Sequence, residues 1–541
     1  MSQTNRADTD RFDAVIVGAG VCGIYMLYKL REQGLNVTLV DKAEGPGGTW
    51  YWNRYPGARF DSESYTYGYS FSQELLDEWD WSEHFAGQPE TLRYLNYVVD
   101  RFDLRRYMQF CVTVQSAAYQ QLNNSWLVSL SDGRTIEAKF LCTAVGMLSA
   151  PTLPNIPGRD SFAGPAFHTY YWPHEPVPME GKRVAVIGTG ATGVQVIAEI
   201  ADKVDSLTVF QRRPNWCAPL HNSPISKIEM QQIKSRYREI FDQCRSTPNG
   251  FLHGPDQRVF EDLPIEDRHA FWEELYASPG FGIWLGNFRD VLVDPAANAE
   301  FSAFVAEKIR ERVHDPITAE KLIPRDHGFG TRRVPLETRY YEAFNYDHVR
   351  LVDLNETPIE CVTAEGIQTT EELHVFDLIV YATGFDAITG SYDRMEIIGR
   401  NGLKLSDKWR DGPVTYMGTQ VHGFPNLFTL AGPQSASVST NFPPTIEDAV
   451  EWTANFLAYL NEHGHECAEA TRDAELAWGA HVKSGYDRSL LAHTKSWFTG
   501  YNSNVEGHDK LRYMVYLEGA PAFRARQREI AAEGYTGFHL Q

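Results

Sequence analysis

Phe12-Asp13-Ala14-Val15-Ile16-Val17 runs directly into Gly18-Ala19-Gly20-Val21-Cys22-Gly23. A short apolar run closed by glycines predicts a buried strand, and the apolar residues beyond the last glycine predict a helix. The G-x-G-x-x-G spacing gives each glycine a task. The first turns the chain tightly, the second lets a pyrophosphate approach the backbone, and the third lets the helix pack on the strand. The helix N-terminus then offers free N–H groups to phosphates. A second predicted strand, residues 36–40, ends at Asp41. That is about 20 residues past the glycines, where a carboxylate accepts from an adenosine ribose hydroxyl. The glycine pattern alone is a weak signal. With strand, helix and spaced acid it specifies a dinucleotide site built on Gly18, Gly20, Gly23 and Asp41.

The same arrangement recurs further along. Residues 183–187 lead into Gly188-Thr189-Gly190-Ala191-Thr192-Gly193, a helix predicted to about residue 201, and a strand at 207–210. Gly188, Thr189, Gly190, Thr192 and Gly193 form the second predicted cradle. Here the strand ends in Gln211-Arg212-Arg213 where an acid is expected. An acid repels a 2′-phosphate, whereas a guanidinium pairs with it bidentately. Arg212 and Arg213 therefore predict NADPH over NADH. Two dinucleotides in one chain call for hydride transfer between them, and nicotinamide to flavin is the usual partnership. The expected architecture is α/β, with two Rossmann-like dinucleotide-binding domains, one for FAD and one for NADPH.

Pro-rich residues 151–158 read as a linker, residues 225–322 as helical, residues 349–352 and 376–381 as strands, and residues 445–462 as a helix. The second unit cannot complete a sheet without strands supplied after the helical stretch. The expected division is therefore 1–150 for the first part of the FAD domain and 151–222 for the first part of the NADP domain. A helical insertion follows at 223–329, the NADP domain resumes at 330–385, and the FAD domain resumes at 386–541.

Bulk properties narrow the function. A net charge of −21 over 541 residues argues against nucleic acid and against an anionic membrane surface. The seven cysteines are scattered and include no C-x-x-C, so neither a disulfide framework nor a metal site is expected. Residues 1–11 carry no apolar segment of the kind a signal peptide needs, and no run of about 18 apolar residues predicts a membrane span. A reducing cytoplasm is the expected compartment. No obligate protein partner is evident.

A flavin fed by NADPH can reduce a dithiol, but no cysteine pair is spaced for that. Oxygen activation is the other option. Between the two units lies Phe162-Ala163-Gly164-Pro165-Ala166-Phe167-His168-Thr169-Tyr170-Tyr171-Trp172-Pro173. It matches F-x-G-x-x-x-H-x-x-x-W-P, with Phe162, Gly164, His168, Trp172 and Pro173 in register, and so resembles the fingerprint of Baeyer–Villiger monooxygenases. Gly47-Gly48-Thr49-Trp50, Arg54-Tyr55-Pro56-Gly57, Ala382-Thr383-Gly384 and Gly432-Pro433 resemble the same family. The similarity runs over residues 12–537 and is nearest to the phenylacetone, cyclohexanone and steroid monooxygenase group. Relatives that oxygenate nitrogen or sulfur carry a similar pattern, typically without the Trp-Pro ending. They are the alternative reading, and a non-catalytic flavin redox sensor is a more distant one.

The resemblance implies tightly bound FAD, NADPH, and a peroxyflavin that attacks a ketone, so that O2 and a ketone give an ester or lactone. It implies that Thr49 and Trp50 lie at the FAD site. Phe329-Gly330-Thr331-Arg332-Arg333-Val334-Pro335 resembles the stretch bearing the family's catalytic arginine, which falls on Arg333. Arg332 aligns with a basic residue that contacts NADPH. Asp61 matches the active-site acid, beside Arg333 and the cofactor. His168 is implied to couple domains rather than to act as acid or base. Trp497 matches a mobile-loop residue that contacts the nicotinamide cofactor. The stretch holding Ser439, Thr440 and Phe442 is implied to line the substrate cavity. After Trp497 this chain departs from the family: residues 500–510 are longer and lack the usual proline, which puts the loop's contacts in question.

Overall fold

The computed structural model describes residues 9–541, and the side chains of all of these except Val438 and Ser439. Most of the segment read above for a leader, residues 1–8, lies outside the described residues. The strand Thr9–Val17 pairs in parallel with Val37–Val40 on one side and Thr135–Thr143 on the other. Ala14, Val15 and Ile16 are wholly buried, as expected for a parallel strand covered on both faces. Val17 lies level with Val40 and Thr143, so Gly18 begins at the carboxyl edge of three strands.

The first sheet runs in the order Glu396–Ile398, Val114–Gln120, Ser125–Leu130, Thr135–Thr143, Thr9–Val17, Val37–Val40, Met108–Gln109. Leu427–Thr429 pairs in parallel with the carboxyl half of Thr135–Thr143. Two strands from the C-terminal region thus complete a sheet begun at the N-terminus. The helix Phe442–Glu462 packs on the fingerprint helix Val21–Glu32. It starts three residues before the predicted 445, because Pro443 and Pro444 fall in its first turn, where a missing N–H costs nothing.

The second sheet is wholly parallel, in the order Val349–Asp353, Ser206–Gln211, Arg183–Ile187, Leu378–Tyr381, Ala166–His168. Its last central strand begins at Leu378 rather than at the predicted 376. Asp377 is drawn aside to accept from the Arg183 backbone and guanidinium, at 2.9–3.1 Å. The edge strand Ala166–His168 comes from the middle of the Phe162–Pro173 stretch.

Between these strands lies the helical stretch, including Tyr237–Ser246, Ile265–Ala277 and Pro295–Arg312. The last of these is capped by Asp294, which accepts from Ala297 N. Trp272 and Phe301 from this stretch pack into one core with the second sheet. The chain leaves and re-enters through a short parallel pair, Ala218–Pro219 with Leu336–Glu337. That pairing fixes the segment just before it, which carries Arg332 and Arg333. Among the described residues, no helix is long and apolar enough to cross a membrane.

Candidate active site

The two glycine cradles are built alike. Gly18 and Gly188 both take φ +109°, and a Cβ on either would lie 2.4 Å from Ala144 O or 2.5 Å from Ala382 O. A Cβ on Gly23 or Gly193 would strike the carbonyl of the first glycine of its own motif, at 1.8 and 2.2 Å. The middle glycines differ. A Cβ on Gly190 would meet nothing within 4 Å among the described residues, whereas Gly20 faces Gly48 Cα at 3.5 Å. Gly48 itself has φ +54° and no room for a side chain against Gly20. Thr49 follows directly and opens the short helix Thr49–Trp52. Trp50 is buried beside it, with its Nε1 donating to Tyr67 Oη at 3.2 Å.

Asp41 accepts from Ala19 N at 2.6 Å and Ala43 N at 2.7 Å. Burial pushes its carboxyl up and these N–H groups pull it down. Asp41 therefore also holds the cradle in shape, a task that spacing alone did not reveal.

At the second cradle, Thr189 Oγ1 donates to Arg213 O at 2.9 Å. Arg212, Arg213 and Arg332 gather nearby. Burial first, then Arg213, lowers the pKa of Arg212; burial and both other guanidiniums lower that of Arg332. Asp326 offsets two of them, 3.0 Å from Arg332 and 3.9 Å from Arg213. Three cations, two of them facing this acid, suit a dianionic phosphate. Together with the open space at Gly190, this fits a phosphorylated dinucleotide.

Arg333 and Asp61, far apart in sequence, meet at 3.0 Å. The Asp61 side chain is 5% exposed and that of Arg333 31%, so the carboxylate is the buried partner. Asp61 Oδ2 also accepts from Leu336 N at 3.4 Å, while Oδ1 is buried with no partner among the described residues. Burial raises the Asp61 pKa and Arg333 lowers it. The guanidinium lies over the Phe281 ring at 4.6 Å, with Trp284 at 5.8 Å, and donates to Val334 O. Sequence reading did not find Phe281 and Trp284, because aromatic residues are common through the insertion and no spacing marks them. Asn441, within the stretch implied to line the cavity, accepts from Ser62 Oγ at 3.1 Å and donates to Thr66 Oγ1 at 3.1 Å. Thr440 is buried and bonded to Thr445 Oγ1 at 2.7 Å, and Phe442 opens the following helix. The Ser439 side chain lies outside the described residues.

The Phe162–Pro173 stretch acts as a staple. His168 Nε2 donates to Gly384 O and its Nδ1 accepts from Tyr170 N, both at 3.1 Å. Burial lowers its pKa to about 4, so the ring is neutral at pH 7. Gly164 leaves the space that the Phe162 ring fills, and Trp172 packs on Phe167 at 5.7 Å. Tyr170 stacks on Trp52 at 5.2 Å, and His174, just past Pro173, meets Arg54. The stretch thus ties the second sheet to the loop beside the first cradle.

The region after Trp497 lies across the second unit without the expected proline. Trp497 packs on Phe498 at 4.1 Å, and Asn502 Nδ2 donates to Phe385 O at 2.8 Å.

A pyridine nucleotide-disulphide oxidoreductase family model matches residues 15–247. The chain is 45% identical over 543 residues to 2-oxo-Δ3-4,5,5-trimethylcyclopentenylacetyl-CoA monooxygenase of Pseudomonas putida, covering 99% of this chain and 100% of that one. It is 43% identical over 534 residues to acetone monooxygenase (methyl acetate-forming) of Gordonia sp. strain TY-5, covering 98% and 99%. A crystal structure of OTEMO with FAD and NADP superposes with a TM-score of 0.95 at 45% identity, covering 99% of this chain and 100% of that chain. The chain belongs to the Baeyer–Villiger monooxygenase family. This monooxygenase is accordingly an FAD- and NADPH-dependent enzyme of ketone oxygenation. Its family neighbourhood is chemically mixed, since a phenazine N-monooxygenase of Lysobacter antibioticus is 41% identical over 538 residues, covering 98% of each chain.

Proposed function

We propose that Arg333, oriented by Asp61 and carried on the Phe281 face, holds the negative charge that develops as oxygen is inserted beside a ketone carbonyl. The observation that carries this reading is the 3.0 Å contact between the buried Asp61 carboxylate and a guanidinium that stays partly exposed. Bound FAD, reduced by NADPH, supplies the activated oxygen. The protein supplies charge and position. Arginine remains protonated at any working pH, so Arg333 offers a fixed positive field rather than a proton. Asp61 sets its direction through Oδ2 and leaves Oδ1 to accept from a donor in the site.

In this reading Gly18, Gly20, Gly23, Asp41, Thr49 and Trp50 hold FAD within a domain of residues 1–150 and 386–541. Gly188, Thr189, Gly190, Thr192, Gly193, Arg212, Arg213 and Arg332 hold NADPH within residues 151–222 and 330–385. Trp497 contacts the nicotinamide cofactor, and Ser439, Thr440 and Phe442 line the ketone's cavity. O2 and a ketone are the partners, and the cytoplasm is the compartment. The test is NADPH consumption over small cyclic, large cyclic, aromatic and linear ketones, beside amines and sulfides, with products identified. Ester or lactone from at least one ketone class is expected. Oxides of the amines or sulfides with no ester from any ketone would overturn the reading.

A further inference from the structure

The loop between Trp497 and Arg512 meets the second nucleotide unit at two places outside the carboxyl ends of its strands, where open α/β sheets bind ligands. At one, Asn502 Nδ2 donates to Phe385 O at 2.8 Å and Asn504 Nδ2 to Thr383 O at 3.5 Å, just past the strand Leu378–Tyr381. At the other, Ser503 Oγ accepts from Arg212 Nη1 at 2.7 Å. The Tyr501 ring lies 5.7 Å from the Arg213 guanidinium and 5.3 Å from Lys495 Nζ. The loop tip therefore touches two of the three clustered guanidiniums.

The base of the loop is anchored separately. His508 Nδ1 lies 3.1 Å from Asp386 Oδ1 and 2.9 Å from Arg512 Nη2. Arg512 is buried, and it donates through Nη2 to Gly500 O at 3.1 Å and through its backbone N to Thr499 O at 2.9 Å. With the base held by this buried group, the exposed Ser503 is placed over Arg212 by the fold.

A hydroxyl can accept from a guanidinium or donate to a phosphate oxygen, so one side chain serves both situations. A phosphate set among Arg212, Arg213 and Arg332 would take the guanidinium donors and turn Ser503 from acceptor to donor. The Ser503 bond would then run to an anion, and such charge-assisted bonds are the stronger kind. We propose that Ser503, flanked by Tyr501, is part of the 2′-phosphate reader, so that preference for the phosphorylated cofactor comes partly from the loop and not only from the sheet edge. This rests on assigning the arginine cluster to that phosphate. The phosphate then ties the loop tip down, and a nucleotide without it does not.

The test uses the FAD-loaded full chain titrated with adenosine 2′,5′-bisphosphate and with 5′-AMP, followed by calorimetry and by hydrogen exchange of amides 501–504. The bisphosphate is expected to bind more tightly and to slow exchange in the loop, while 5′-AMP leaves the loop unchanged. Ser503→Ala is expected to cut the preference for the bisphosphate by about tenfold without altering 5′-AMP affinity. Ser503→Thr, which keeps the hydroxyl, should restore most of it. Unchanged preference in Ser503→Ala, or equal slowing of the loop by both nucleotides, overturns the loop's role and leaves the arginine cluster standing. Full preference retained in Arg212→Ala would instead strike at the cluster assignment, and the proposal would fall with it.

Discussion

Replacing Arg333 with alanine separates charge stabilisation from cofactor binding. A fixed cation about 4 Å from a developing anion is worth about 4 kcal/mol at the effective dielectric of about 20 typical near a protein surface. That dielectric suits a guanidinium whose side chain is 31% exposed and whose carboxylate partner is 5% exposed. Losing it corresponds to about a thousandfold in rate. Arg333→Ala should therefore reduce FAD with NADPH at a near-normal rate in anaerobic stopped flow. Under air it should form ester about a thousandfold more slowly and consume NADPH without product. Arg333→Lys keeps a point charge but cannot spread a planar guanidinium over Phe281 while reaching Asp61, so it should fall between. Ester formation by Arg333→Ala within about tenfold of the unmodified enzyme would show that Arg333 does not hold the developing charge. Equal loss of flavin reduction and ester would instead mark Arg333 as a cofactor-binding group.

Gly190→Ala should fold with little change in melting temperature, because its Cβ meets nothing within 4 Å among the described residues, yet raise KM for NADPH by filling the space a pyrophosphate needs. Gly193→Ala should destabilise outright, since its Cβ would sit 2.2 Å from Gly188 O; equal behaviour of the two would contradict the cradle geometry. Burial pushes the Glu447 carboxyl from its ordinary 4.5 up to about 7. The native state then keeps a proton the unfolded chain has lost, so stability should fall as pH rises through that window, by about 3 kcal/mol in total. Glu447→Gln should flatten melting temperature against pH there, and an unchanged slope would exclude this assignment. His168, lowered to about 4, carries the opposite sign: its contribution is present above about 6.5 and lost as pH falls toward 4. His168→Ala should cost about 2 kcal/mol in urea unfolding by stranding Gly384 O and Tyr170 N–H, and a change near zero would show that neither bond matters.

The nucleotide units were legible because each rests on local rules. Glycine positions, a buried strand and the residue at the end of the next strand lie close in sequence, and Gly18 and Gly188 indeed share one backbone conformation. The return of strands Val349–Asp353 and Leu378–Tyr381 to the second sheet followed from an unfinished sheet. The hairpin Val114–Gln120 with Ser125–Leu130 escaped notice, since its short alternating runs resemble ordinary loop sequence. The Asp61–Arg333 pair was reached only through family resemblance. No spacing rule joins residues brought together by two separate sheets and an insertion. The Phe281 platform and the grip of Ser503 on Arg212 were beyond reach for the same reason, because both depend on where the chain re-enters a domain rather than on local pattern.

The stretch from Gly48 to Asp61 has its own significance for engineering. It starts against Gly20 of one cradle, passes Tyr55, whose hydroxyl donates to Gln195 on the helix of the other at 2.8 Å, and ends on Arg333. Gly57, at φ +79°, presses against the backbone of that same helix. A chimera between relatives that crosses over inside this stretch inherits one parent's half of each contact and the other parent's remainder. Gene shuffling for new ketones should therefore treat residues 48–61, the Ala191–Ile200 helix and residues 329–337 as a single inheritable block.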